Sequence, residues 1–206
     1  MQKTKGGGMN SIVLRGYLRD IEHSHNIGEI EYEKANVICP NTSGREDDII
    51  SLKYKKYSNK HKEGDFVELE GNLRSYSTCV NGKNTVQIYV FTYFDTPDSI
   101  PAENTVIDGR ICKIGELQET KYGKKYIHFT LANNIFTNNG KKLNNYIPCT
   151  CHNELAEQIS KLTVNTQLSI VGEFHSHCYK KYLNNEELEY RVAHDLLVKK
   201  FEIISQ

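Results

Sequence analysis

The 206-residue sequence lacks an excess of charge of either sign, since 26 Lys and Arg residues are matched by 26 Asp and Glu residues. Composition therefore does not mark the chain as a strongly basic binder of polyanions, and any anionic ligand would need a local groove. No apolar run approaches the ~18 residues of a membrane-spanning helix, so we expect no contact with a membrane. The six cysteines show no framework spacing and no apolar N-terminal segment is present, which is typical of the reducing cytoplasm.

The sequence also lacks the motifs of common catalytic sites. It has no nucleophile elbow, no Walker loop and no His-Glu metal helix, and its carboxylates are scattered over predicted strands and turns. We therefore expect neither an enzyme nor a cofactor. Two clusters resemble zinc ligands, Cys149-x-Cys151-His152 and His175-x-His177-Cys178. Because alternate residues of a strand share a face, Cys149 and Cys151 would point inward and His152 outward, so we expect no metal.

Residues 144–177 show a strand, a helix and a second strand. Alternation in the first strand predicts an inward set and an outward set: Ile147, Cys149 and Cys151 inward, and Tyr146, Pro148, Thr150 and His152 outward. A helical spacing then places Leu155, Ile159 and Leu162 in one apolar stripe of about three turns. Gly172 interrupts the second strand, where a missing side chain allows a bend or a bulge.

Two parts of the chain share one pattern. Gly16 and Gly109 each follow three mostly apolar residues in a predicted strand, and each half continues with a Gly-containing turn, another strand and a polar loop. Prolines interrupt the sequence between the two parts, where they would end any strand. This pattern predicts two domains, residues 9–96 and residues 104–204, joined by a linker at residues 97–103.

Three motifs resemble those of the bacterial single-stranded DNA-binding protein family. The segment 70–76, Glu-Gly-Asn-Leu-Arg-Ser-Tyr, is similar to the family's Glu-Gly-x-Leu-Arg-Ser-Tyr, while residues 153–157 and 168–174 resemble its helix and the strand after it. The resemblance implies an all-β chain of two tandem five-stranded OB-fold barrels, each with a short helix between its third and fourth strands. It also implies binding of single-stranded DNA without sequence preference.

Such binding needs flat side chains on which bases stack and cations that meet phosphates. The sequence contains no Trp, so stacking would depend on Tyr, Phe and His. The resemblance and the outward alternation together select the candidates. They are Tyr32, Lys34, Lys53, Lys55, Arg74 and Tyr76 in the first part, and Lys125, Tyr126, His128, Phe136, Tyr146, His152 and Tyr179 in the second.

Two departures from the family bear on partners. The last residues carry two lysines and one glutamate instead of the family's acidic tail, which recruits replication and repair proteins. Two barrels in one chain would favour a monomer or a homodimer. The near-neutral charge leaves open an adaptor of the primosomal or mobile-element kind that binds a replication protein, and binding of single-stranded RNA is open because stacking does not involve the 2′-hydroxyl.

Overall fold

The computed structural model describes the backbone at residues 8–41, 44–80, 83–98, 104–136, 140, 142–184 and 187–205, and the side chains there except at 79–80, 83–84, 136, 181–184, 187–190 and 205. The chain is almost entirely β, and no helix in this part is long and apolar enough to cross a membrane. The strands are β1 Asn10–Ile27, β2 Ile30–Cys39, β3 Asp48–Lys55, β4 Phe66–Val80, β5 Lys83–Asp95, β6 Thr105–Ile114, β7 Gln118–Glu119, β8 Lys125–Phe136, β9 Lys142–His152, β10 Gln167–Asn184 and β11 Glu187–Ser205. Within the described ranges there is one α-helix, α1, at Asn153–Ile159.

Strands β1 to β5 close into a ring, here called the first ring. β1 pairs with β2 and with β4, β2 pairs with β3, and β4 pairs with β5, all antiparallel. A short parallel pairing of β3 with β5 completes the closure. The core of this ring is filled by inward residues that the alternation predicts, among them Ile50, Leu52 and Tyr54 of β3.

Strands β6 and β8 to β11 close into a second ring with the same order of pairing. β6 pairs with β8 and with β10, β8 with β9, and β10 with β11, while β9 and β11 are parallel. The predicted inward set of β9 is confirmed, because Ile147, Cys149 and Cys151 are each at most 1% exposed. Thr150 also lies on the predicted outward side, where its Oγ1 is 2.9 Å from His128 Nδ1, but it is buried there rather than exposed.

The helix α1 lies between β9 and β10 and closes one end of the second ring. Ile159 and Ala156 are fully buried, and Leu155 and Leu162 pack against the core. The prediction of three turns was too long, since the helix ends at Ile159 and Leu162 follows in a turn. In the first ring the corresponding position holds only a 3-10 turn, Lys56–Ser58, which buries no residue because the segment has no apolar stripe.

Gly16 and Gly109 lie where the first strand of each ring passes from one neighbour to the other. A Cβ atom at Gly16 would lie 2.2 Å from the carbonyl oxygen of Ile38, and one at Gly109 would lie 2.8 Å from that of Ala132. Any larger residue would therefore separate the strands. The predicted bend at these two positions allows one strand to pair on both sides of a small closed ring.

The two rings are joined by one strand pairing and by two equivalent sets of hydrogen bonds. β1 and β6 pair antiparallel, with Ile12 opposite Thr105. The backbone N–H of Ser176 donates to Asp48 Oδ1, and that of Ile49 donates to Ser176 Oγ at 2.7 Å. The same two bonds recur with Ser75, which donates its N–H to Asn145 Oδ1 and accepts at its Oγ from the N–H of Tyr146. The rings are thus related by an approximate two-fold axis.

Candidate nucleic-acid interface

The outward surface of β2, β3, β4 and β5 carries a group of neighbouring aromatic and cationic side chains. Register places Lys34 opposite Lys53, Tyr32 opposite Lys55, and Arg74 opposite Tyr89. The set, here called the first-ring face, consists of Tyr32, Lys34, Asn36, Ser51, Lys53, Lys55, Arg74, Tyr76, Gln87, Tyr89, Phe91 and Tyr93. All six residues predicted for the first part therefore share one surface.

Lys53 lies between two tyrosine rings at the centre of this face. Its Nζ is 4.2 Å from the ring centroid of Tyr76 and 4.7 Å from that of Tyr89, and the two rings are 5.8 Å apart. Burial lowers the pKa of Lys53, and the nearby charge of Lys34 lowers it further. An ammonium that is already partly stripped of water and held over two rings is well placed to meet a phosphate beside a stacked base.

Arg74 and Phe91 form a second cation and ring pair on the same face. The guanidinium carbon lies 3.8 Å from the centroid of Phe91, and Nε is buried without a hydrogen bond to any described residue. The ring of Tyr32 stacks on that of His25 with their centroids 4.8 Å apart, and its centroid lies 6.5 Å from that of Phe91. Phe91 is consequently only 7% exposed although its side chain is on the outer surface.

A groove of about 440 Å³ crosses the face between β2 and β5. Lys34, Lys53, Tyr76 and Tyr89 line one part of it, together with the polar side chains of Asn36, Ser51 and Gln87. Its rim also carries carboxylates, because Glu22 Oε2 lies 2.8 Å from Lys34 Nζ and Asp20 accepts a hydrogen bond from Asn36. The groove is therefore polar and mixed in charge, and Lys53 supplies it with a cation that has no carboxylate partner among the described side chains.

Sequence reasoning did not select the aromatic side chains of β5. Tyr89, Phe91 and Tyr93 occupy alternate positions, and the Phe91 and Tyr93 rings lie 5.3 Å apart in an edge-to-face arrangement. The Nζ atom of Lys55, a residue that the sequence did select, lies 5.6 Å from the ring centroids of both Tyr93 and Tyr57. A period of two in aromatic residues at 89–93 was the signal that would have identified them.

The second ring brings together fewer of its predicted residues. Tyr126 lies opposite His152 in register and 5.5 Å from His128, edge to face. Lys125 is engaged by the carboxylate of Glu157 in α1. The aromatic residues of this group are therefore adjacent, but its one selected lysine forms an ion pair.

Tyr146 and Tyr179 lie away from that group. Tyr146 is paired with Ala132, six residues along β9 from His152, which corresponds to roughly 20 Å of strand. It is 40% exposed, as predicted, but its backbone N–H is bonded to Ser75 at the junction between the rings. Tyr179 is also 40% exposed and lies beside His177 on β10. The side chain of Phe136 is outside the described residues.

The cysteines of the suspected zinc clusters do not converge with histidines. Cys149 and Cys151 are buried in the core, and burial raises the pKa of both thiols, that of Cys151 to about 12. His152 lies on the opposite face of β9, and Cys178 is exposed. Across the described ranges, no group of three or more His, Cys, Asp or Glu residues is arranged to hold a metal ion.

Comparison with known proteins identifies relatives of the chain. A sequence model of the single-strand binding protein family matches residues 102–203. No protein of curated function matches the sequence. Among solved structures, the wild-type single-stranded DNA binding protein from Thermus aquaticus is similar at a TM-score of 0.69 and 15% identity, covering 98% of this chain and 95% of that one. A deletion mutant of the Thermus aquaticus protein is similar at a TM-score of 0.70 and 15% identity, covering 97% and 96%.

Proposed function

Because the chain belongs to the single-strand binding protein family and binds single-stranded DNA, we propose that it binds without base preference through the first-ring face. Bases stack on the exposed tyrosines, and phosphates meet Lys53 and its neighbouring cations. The observation that carries this proposal is the position of Lys53 between Tyr76 and Tyr89. Binding takes place without catalysis, and it serves to cover single strands during replication, recombination or repair.

The proposal includes the architecture of the chain. The two rings are tandem OB-fold barrels at residues 9–96 and 104–204, and a chain of this kind acts as a monomer or a homodimer. Support comes from the closed five-strand pairing, from the matching glycines of β1 and β6, and from a fold shared over nearly the whole length with the Thermus aquaticus protein. The proposed linker lies between β5 and β6, and residues 99–103 are outside the described ranges.

Titration of a labelled oligothymidine, followed by fluorescence anisotropy, tests the interface. Tyr76→Leu should weaken binding by about 1–3 kcal/mol, and by a similar amount for oligoadenosine, because every base has a face to stack. Lys53→Met should reduce the slope of log affinity against log salt by about 0.7, the value for one phosphate contact on a single strand. Duplex of equal length should compete poorly, since its bases are already stacked.

A matched control is Tyr17→Leu, which removes an exposed ring that contacts Phe66 outside the first-ring face. Its affinity should equal that of the parent. If the parent fails to bind oligothymidine at low salt, the adaptor function is favoured instead. Clearly tighter binding of an oligouridine of the same length would assign the chain to single-stranded RNA.

A further inference from the structure

The register of the two rings allows their outward residues to be matched one by one. Lys53 of β3 lies beside Phe91 of β5, and Thr150 of β9 lies beside Leu197 of β11, in the parallel pairing of each ring. Lys34 is opposite Lys53, and His128 is opposite Thr150. On β4 and β10, Gly71 and Gly172 occupy equivalent positions, because the pairing of each strand with its hairpin partner shifts register there. Residues that follow these two glycines are therefore equivalent as well.

The matched positions differ systematically in charge. The lysines and arginine of the first-ring face, Lys34, Lys53, Lys55 and Arg74, correspond in the second ring to His128, Thr150, His152 and His175. Tyr76 corresponds to His177, and Tyr89 to Asp195. Tyr32 alone keeps its type, as Tyr126. At three of the four cation positions, and at the position of Tyr76, the second ring therefore carries a histidine.

Histidine changes charge near pH 6.5, whereas lysine and arginine remain charged far above neutrality. The neighbouring charged groups determine which of these histidines would present an uncompensated positive charge when protonated. His175 is bound by Asp48 at 2.9 Å and Glu173 at 3.2 Å and lies opposite Asp195. Lys199 pairs with the same Glu173. The three carboxylates therefore offset the positive charge of protonated His175, which contributes little to an anion site.

The other three histidines are exposed and lack a carboxylate partner among the described side chains. His128 contacts Thr150 of β9 and Tyr126. The neighbouring elements carry Lys113 of β6, opposite Thr130, and the Lys125 and Glu157 ion pair. His152 faces Tyr126 and precedes α1, whose first turn holds Glu154. His177 lies opposite Ala193 on β11 and beside Tyr179 on its own strand.

We propose that the second ring is a protonation-dependent site for single-stranded DNA, formed by His128, His152 and His177 with Tyr126, whereas the first-ring face binds at any pH near neutrality. The proposal rests on the proposed function of the first ring. Unit charges about 4 Å apart in water attract by an amount that corresponds to roughly fivefold in affinity. Three protonated histidines that meet phosphates would therefore raise affinity by up to about a hundredfold.

The test uses the full chain with the first ring silenced by Lys53→Met and Tyr76→Leu. Anisotropy of labelled oligothymidine is measured at pH 8.0 and 5.5 at constant ionic strength, since thymine does not titrate in this range. Affinity of this variant should rise at least about tenfold at pH 5.5, because each protonated histidine that meets a phosphate adds about fivefold. Adding His128→Gln, His152→Gln and His177→Gln should abolish the rise. Thermal melts at both pH values verify folding.

A gain of function provides an independent arm. In the silenced background, His128→Lys and His152→Lys restore the residue type of the first ring, and binding at pH 8.0 should appear. No rise at pH 5.5, or a rise that survives the glutamine substitutions, would overturn the proposal. The parent separates the two hypotheses: if it binds at pH 8.0 and is weakened by Tyr76→Leu, the proposed function stands even when the second ring proves insensitive to pH.

Discussion

The contact between Asp48 of the first ring and His175 of the second predicts that the stability of the whole chain depends on pH. Asp48 is 12% exposed and His175 21% exposed, and Oδ2 lies 2.9 Å from Nδ1. The hydrogen bond to Asp48 raises the pKa of His175 and outweighs the opposing effect of burial. Burial alone would raise the pKa of Asp48, but hydrogen bonds from His175 and from the Ser176 N–H lower it overall.

The sign follows from these directions. His175 contributes stability below its unfolded pKa of ~6.5, and the contribution is lost as pH rises through its raised folded pKa. Asp48 contributes above its unfolded pKa of ~3.9, and that contribution is lost as pH falls through its lowered folded pKa. The pair therefore stabilises the chain most between about pH 4 and about pH 6.5.

Asp48→Asn removes the charge with little change of shape. Asn145 occupies the matching position and accepts the same bond from the Ser75 N–H, so an amide fits this geometry. Charge-assisted hydrogen bonds contribute about 1.5–3 kcal/mol against about 1 for neutral ones, so we expect a loss of about 1–2 kcal/mol at pH 6. For a chain of this length, that loss corresponds to about 2–8 °C in melting temperature.

Thermal melts of parent and variant at pH 6.0 and 9.0 measure the effect. The difference between the two proteins at pH 9.0 should be at most about half of that at pH 6.0, because His175 has lost its charge. Asp47→Asn, on the exposed neighbouring residue, should change stability by less than ~0.5 kcal/mol at either pH. An equal loss for Asp48→Asn at both pH values would refute the charge-based reasoning.

Two further predictions concern the core. Gly16→Ala should lower the free energy of unfolding in urea by about 2 kcal/mol or more, because its Cβ would lie 2.2 Å from the carbonyl oxygen of Ile38. Gly109→Ala should cost less, because the corresponding distance to the carbonyl oxygen of Ala132 is 2.8 Å. Wild-type stability in either variant would contradict the close approach. A brief pulse of a thiol reagent on the native protein, followed by peptide mapping, should find Cys112 labelled and Cys149 unlabelled. The reason is that Cys112 is exposed and Cys149 is buried, so Cys149 should react only after unfolding. Prompt labelling of Cys149 would place it outside the core.

Much of the local structure follows from the sequence alone, because alternation and glycine placement are properties of neighbouring residues. The inward positions of Cys149 and Cys151, the exposure of Tyr146 and the bends at Gly16 and Gly109 required no knowledge of other strands. The helix α1 was also predicted, although its end was not, because a turn at Leu162 continues the apolar contact without helical hydrogen bonds.

Only the tertiary structure decided which outward residues meet. β3 pairs with β5 and not with β4 in the closed ring, and this places Lys53 between Tyr76 and Tyr89 from two other strands. The bond between Asp48 and His175 joins residues 127 positions apart in the chain. The alternation of residues predicts on which face of a strand a side chain lies. Which side chains of other strands it contacts depends on how the rings close and pack, and this is a property of the whole chain.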